Sequence, residues 1–128
     1  MNRARFYAVG FTVLAAFDTW TQVAFKLAAR RTGPFALDVA WLHAAALNPW
    51  IFGAILGYLG SFVSWMTLLE HAPVGPAFAA SHADVVTVLI FSAVLFGEHL
   101  TPARMGGAAC IVAGIVLLSL SESKHAHA

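Results

Sequence analysis

The chain has 128 residues, 60% of them hydrophobic and 10% charged, with a formal net charge of +1. So few charges cannot cover a soluble domain without leaving large apolar patches, and so apolar a chain is not disordered. The near-neutral balance offers no field for a nucleic-acid backbone, and a single cysteine, Cys110, makes neither an internal disulfide nor a thiolate zinc cluster. The solvent that suits this composition is lipid. A spanning helix takes roughly 20 apolar residues, so four spans use about 80 and leave only short connections.

The first predicted span covers residues 6–25, after Arg3 and Arg5. Its second half carries Asp18, Thr19, Thr21 and Gln22, and it stops at Lys26, Arg30 and Arg31 before the breaker pair Gly33-Pro34. A basic start and an apolar run also describe a cleaved signal peptide, but no small-x-small site follows the run. Residues 35–47 are too short and too polar to span. Asp38 and His43 punctuate them, which predicts an interfacial helix anchored by Trp41. Asn48-Pro49-Trp50 then turns the chain, with proline at the first helical position.

The second span, residues 50–69, holds no charge and ends at Glu70-His71-Ala72-Pro73. The third, residues 74–96, contains His82 and Asp84. Gly97-Glu98-His99-Leu100 is a tight polar connection. Thr101 is the expected N-cap of the fourth span, residues 102–120, which opens on Pro102. A polar, mobile tail follows, and its His125 and His127 are expected to be floppy rather than metal-binding. The expected fold is thus an all-α integral membrane protein: one domain of four transmembrane helices, with a short interfacial helix between the first two. Arg3, Arg5 and Lys124 on one side nearly balance Lys26, Arg30, Arg31 and Arg104 on the other. The positive-inside rule therefore leaves fixed and dual topology both open.

An ionisable side chain in a spanning helix costs a few kcal/mol on insertion scales, so each needs a reason. Asp18, Thr21 and Gln22 sit at i, i+3 and i+4 and share a helical face. A carboxylate there can exchange a proton or a cation; alternatively it pairs with Lys26 or a hydroxyl and only holds helices together. In the third span Ala77, Ala80, Ser81, Asp84 and Thr87 fall on one side. Such a small, polar face is either a cavity wall or a close-packing surface, and Asp84 favours the cavity. His82 lies about 200° round from Asp84 on a regular helix, so it faces another subunit, the interface or Asp18.

The second span carries a small-xxx-small series, Gly53, Gly57 and Ser61, overlapped by Gly60 and Ser64, which suits packing within one subunit. Gly107 and Gly114, two turns apart on the fourth span, read as a dimer seam. No nucleophile–base pair, phosphate-cradling glycine loop or metal motif is visible, and no cofactor is expected.

The chain resembles the drug/metabolite transporter superfamily in its four-helix form, and is similar to both its small multidrug resistance and its EamA-like groups. The likeness runs over almost the whole chain. It is carried by FGEHLTPARMGGAACIVAGIVLLSL at 96–120, with its glycines seven apart, by HAPVGPAFA at 71–79, and by Asp18 eight residues before Lys26. Asp18 replaces the glutamate usual in the multidrug group, Phe78 a tyrosine, and Ser81 stands near an expected tryptophan, while His82 and Asp84 are additional. The aromatic box for lipophilic cations is therefore largely missing. Gln22-x-x-x-Lys26 and Leu47-Asn48-Pro49-Trp50 look more like the EamA-type group, which includes paired subunits that flip aminoarabinose-linked undecaprenyl phosphate.

The resemblance implies a multi-pass transporter of the bacterial inner membrane, working as a homodimer or as a heterodimer with a similar subunit. It would export or flip a small polar, cationic or lipid-linked metabolite by proton-coupled alternating access. Asp18, Thr21, Gln22, Ser81, His82 and Asp84 would bind substrate and proton, and Gly107 and Gly114 would form the seam. The alternatives are a subunit of a polyprenyl-phosphate-aminosugar flippase and a non-transporting accessory subunit of a membrane enzyme complex.

Overall fold

The fold was obtained as a computed structural model. It describes every residue except Met1, Val74, Pro76, residues 78–80 and residues 126–128, and only the backbone of Ala4, Ser119, Glu122, Ser123 and His125. Phe78, Ala80 and His127 therefore lie outside the described residues. Everything regular among the described residues is helical.

Helix α1 runs from Arg3 to Thr32, seven residues past the predicted end of the span. Thirty residues extend roughly 45 Å, longer than the hydrocarbon core of about 30 Å. The basic cluster does not terminate the helix. Lysine and arginine are good helix formers, and Arg30 and Arg31 complement the negative end of the helix dipole in the last turn. The stop is Gly33, whose φ of 81° suits glycine and whose N–H caps the Ala29 carbonyl.

A short helix, α2 (Val39–Ala46), stands where the interfacial helix is expected; it is capped by Asp38, whose carboxylate accepts from the Trp41 N–H at 2.6 Å. None of its residues is buried. Helix α3 (Pro49–Leu69) starts on the Asn48 cap with proline in its first turn. Its 21 residues span roughly 31 Å, close to the bilayer core.

The third span departs from expectation. Residues 75, 77 and 81 are helical, but a turn at His82 and Ala83 precedes helix α4 (Asp84–Phe96). The Val85 and Val86 amides reach back three residues, to His82 and Ala83, instead of four. Asp84 thus lies in the first turn of a helix, where the dipole favours a carboxylate, and not in mid-helix. Gly97, at φ 62°, ends α4. Helix α5 (Pro102–His125) opens on the Thr101 cap, whose hydroxyl accepts from the Arg104 N–H at 3.3 Å. It continues through 121–125, which the sequence reading assigns to a mobile tail. Glu122 and Lys124 are compatible with helix, and nothing before His125 breaks it.

Helix α1 is the hub, with α3 packed along one side, α4 along another and α2 touching its end. The α1–α3 seam is close because α3 presents glycines. A Cβ on Gly57 would collide with Thr21 Oγ1 and lie 2.8 Å from Trp20, and one on Gly60 would lie 2.5 Å from Phe17. The Trp20 indole N–H donates to the Gly53 carbonyl at 3.0 Å. The small series of the second span is therefore packing within one chain.

The core is thin. Leu14, Ala24, Ala28, Ala54 and Leu68 are buried, while Leu56, Leu59, Phe62 and Val63 on α3 are more than half exposed. Among the described residues, two helical stretches, Arg5–Thr32 and Pro49–Leu69, are long and apolar enough to cross a membrane. Asp84–Phe96 and Pro102–Leu118 are shorter apolar helices.

Candidate functional site

The polar side chains singled out in α1 separate into two groups. Thr21 is buried in the α3 seam, its hydroxyl bonded to the Phe17 carbonyl at 2.8 Å. Asp18, half-buried, also turns to α3 and accepts a hydrogen bond from the Ser61 hydroxyl. Of the two structural partners open to Asp18, the hydroxyl is the one observed. Gln22 is exposed and faces α4, where it lines a cleft of about 390 Å³ with Asp84, Ser92, Glu98 and Arg104. Val85, Val88 and Leu89 complete the wall.

Asp84 is the least satisfied group of this cleft. Its Oδ1 is sealed from solvent and meets no hydrogen-bond donor among the described residues. Asp18 and His82 lie near enough for their charges to act on it. A buried carboxylate oxygen without a donor costs free energy. The Val85 backbone N–H is a donor to this carboxyl group, so only Oδ1 is left without one among the described residues. Ser81 is half-buried, stands before the turn at His82 and Ala83, and is not among the residues that line this cleft. His82 is exposed and turned toward α5, lining an opening with Val85, Ile111 and Gly114. Thr87 does not join Asp84. It lines a separate, largely apolar groove of about 680 Å³ between α1 and α4, with Thr12, Thr19, Trp20 and Phe91 among its walls.

At the end of the cleft nearest Gly97, cations from two helices meet on the one carboxylate that follows α4. The Lys26 ammonium of α1 donates to Glu98 Oε1 and lies 3.5 Å from the Ser92 hydroxyl. The Arg104 guanidinium of α5 reaches Glu98 Oε2 at 3.4 Å. Lys26 and Arg30 also sit 4.8 and 4.4 Å from the centre of the Phe96 ring. The hydrogen bond from Lys26, helped by the nearby charges of Lys26 and Arg104, holds the Glu98 carboxyl below the usual glutamate range; partial desolvation opposes this and loses.

The Glu98 cluster is what sequence reading missed: it took Glu98 as part of a connection and Lys26 as the end of a span. The available signal was the isolation of Glu98. It is the only acidic residue between Asp84 and Glu122, and it is flanked by a basic cluster on α1 and by Arg104. Gly107 and Gly114 on α5 are exposed, and a Cβ at either would meet open space. Among the described residues, no group of three His, Cys, Asp or Glu could hold a metal ion.

A thin helical core, an outward apolar face and a cleft with Asp84 in its wall and the Lys26–Glu98–Arg104 cluster at one end define a helical protein of the membrane-embedded class. The chain belongs to the EamA-like transporter family, whose family model matches residues 6–120. It is 32% identical over 100 residues to the probable 4-amino-4-deoxy-L-arabinose-phosphoundecaprenol flippase subunit ArnE of Pseudomonas aeruginosa (strain UCBPP-PA14), covering 78% of this chain and 85% of that one. It is 28% identical over 90 residues to the corresponding probable subunit ArnF of Photorhabdus laumondii, covering 69% and 71%. No solved structure matches it. The family is one of transporters, not enzymes, and so confirms membership of the drug/metabolite superfamily.

Proposed function

We propose that this chain is one subunit of a dimeric transporter of the bacterial inner membrane that flips a lipid-linked headgroup carrying an amine. The observation that carries the reading is Asp84: a carboxylate oxygen buried without a donor among the described residues, at the wall of a polar cleft and within electrostatic reach of Asp18. A protonated amine supplies the missing partner. A proton supplies it when the amine has gone, so the two compete for one site and exchange follows. The flippase-subunit relatives support a lipid-linked substrate over a small free drug. The open glycine face of α5 suits a partner, identical or similar, and alternating access would then rock one half against the other.

The test is transport in proteoliposomes, with the partner subunit present, of a polyprenyl-phosphate-linked amino sugar. Asp84→Asn and Asp18→Asn are each expected to cut the rate by about tenfold or more, the scale of one charged hydrogen bond, while the melting midpoint stays near wild type. Full pH-dependent transport by either variant would sink the reading.

A further inference from the structure

The cleft that holds Asp84 is charged at both ends, and the proposed function uses only one. At the surface end, Lys26 and Arg104 share the single carboxylate of Glu98. The two cations are not held alike. Lys26 is bound closely, is 28% exposed and has Ser92 beside it, whereas Arg104 sits at 3.4 Å and is 53% exposed. A guanidinium at that distance is near the limit of hydrogen bonding. Arg104 also lines the cleft itself, together with Glu98 and Ser92.

We infer that the surface end of this cleft is a binding site for a phosphate ester, with Arg104 as the receptor and Glu98 as the internal anion on which Arg104 rests while the site is empty. The inference rests on the reading of the cleft as a substrate path.

Charge supports the assignment. Lys26 and Glu98 neutralise each other, which leaves Arg104 with one positive charge to offer. A phosphate ester, diester or monoester, carries at least one negative charge and accepts the planar guanidinium fork on two oxygens. Once Arg104 has moved, Glu98 keeps Lys26, so no ion is left unpaired. Position supports it too. Asp84 lies two turns below Ser92 on α4, roughly 12 Å deeper along the helix. The cleft is therefore positive at its mouth and negative within. A headgroup with phosphate toward the mouth and amine inward matches that order; a purely cationic solute would meet Arg104 first and be repelled.

The experiment is a binding titration on the purified full-length chain, read as thermal stabilisation, with farnesyl phosphate, farnesol and inorganic phosphate as probes. Glu98→Gln removes the resting anion and is expected to bind farnesyl phosphate about tenfold more tightly than wild type. Arg104→Gln is expected to reduce farnesyl phosphate to the affinity of farnesol. Equal or weaker binding by Glu98→Gln overturns the inference, as does an unchanged preference for phosphate in Arg104→Gln. If Glu98→Gln does not fold, Glu98→Asp shortens the arm, keeps the charge and is expected to tighten binding in the same direction.

Inorganic phosphate separates the sources. Competition at concentrations comparable to farnesyl phosphate supports the site but assigns it to free phosphate; no competition supports a lipid-borne ester. Farnesyl phosphate has no amine, so Asp84→Asn is expected to leave its binding unchanged. Transport can therefore fail to depend on Asp84 while the Glu98 effect persists, and the two failures remain distinguishable.

Discussion

The two sides of α1 solve opposite problems with the same helix. Toward α3 the surface is shaped by Gly57 and Gly60, filled by Thr21, Trp20 and Phe17, and fastened by Trp20 to the Gly53 carbonyl. Toward α4 the contact is looser and leaves a cleft, lined by Gln22, Asp84, Ser92, Glu98 and Arg104. The lesson is a division of labour. In lipid there is little hydrophobic drive between helices, so close packing of small residues must supply the rigid pair. Apart from Asp18, which accepts from Ser61 in the seam, the charged residues singled out here are left to a side that does not have to hold the fold together.

Filling the tight side is the most direct way to break that division. Gly57→Val places a branched side chain against Thr21 and Trp20, where even a Cβ collides. Overpacking of this kind costs about 1–3 kcal/mol, and here the Thr21 backbone, 3.4 Å from the added Cβ, limits relaxation. The expected result is a large fall in melting midpoint and in the yield of monodisperse protein. Gly53→Ala is the control. Its Cβ would meet Trp20 at an ordinary 3.6 Å, so its melting curve should overlay that of wild type. Similar losses from both would mean that glycine size does not set the seam.

The next effect comes from the fastening at the end of that seam. Asn48 is 3% exposed, caps α3 through the Trp50 N–H at 3.1 Å, and donates to the Ala28 carbonyl and the Thr32 hydroxyl, both at 3.0 Å. Asn48→Ala removes a helix cap and both ties to α1, with an expected cost of roughly 1–3 kcal/mol. Asn48→Asp keeps the cap acceptor but loses the donors. It should fall between the two in a denaturation series, and a value equal to Ala would show that the cap contributes nothing.

Much of this organisation was legible beforehand. The helix starts at Asn48-Pro49 and Thr101-Pro102 and the packing role of the α3 glycines follow from local chemistry, where residue type and spacing suffice. What escaped notice depended on residues far apart in the chain. Asn48 reads as a turn residue until α1 supplies Ala28 and Thr32 twenty and sixteen positions away. Thr21 and Gln22 share a helical wheel sector with Asp18, but the boundary between α3 and α4 passes between them and sends them to different neighbours. The turn at His82 and Ala83 has no proline or glycine to announce it, so Asp84 looked like a mid-helix charge. No helical wheel brings Lys26 to Glu98 across 72 positions.

The smallest expected effect tests the open side. Because Lys26 holds the Glu98 carboxyl below its ordinary range, the folded chain binds this proton less readily than the unfolded chain does. The pair therefore stabilises the fold fully at pH values above the unfolded glutamate range, and that contribution fades as pH falls through the lowered value. With about a third of the Glu98 side chain exposed, solvent screens the pair and the effect on melting is small. Melting midpoints of wild type and Glu98→Gln should differ at pH 7 and converge on acidification below the glutamate range. If they differ by the same amount at both ends, Glu98 supports the fold through shape and not charge. A wide gap at pH 7 would give the cleft a structural role and erase its contrast with the α3 seam. A narrow, pH-dependent gap is what a site should show if its Arg104–Glu98 pair must part when a substrate arrives.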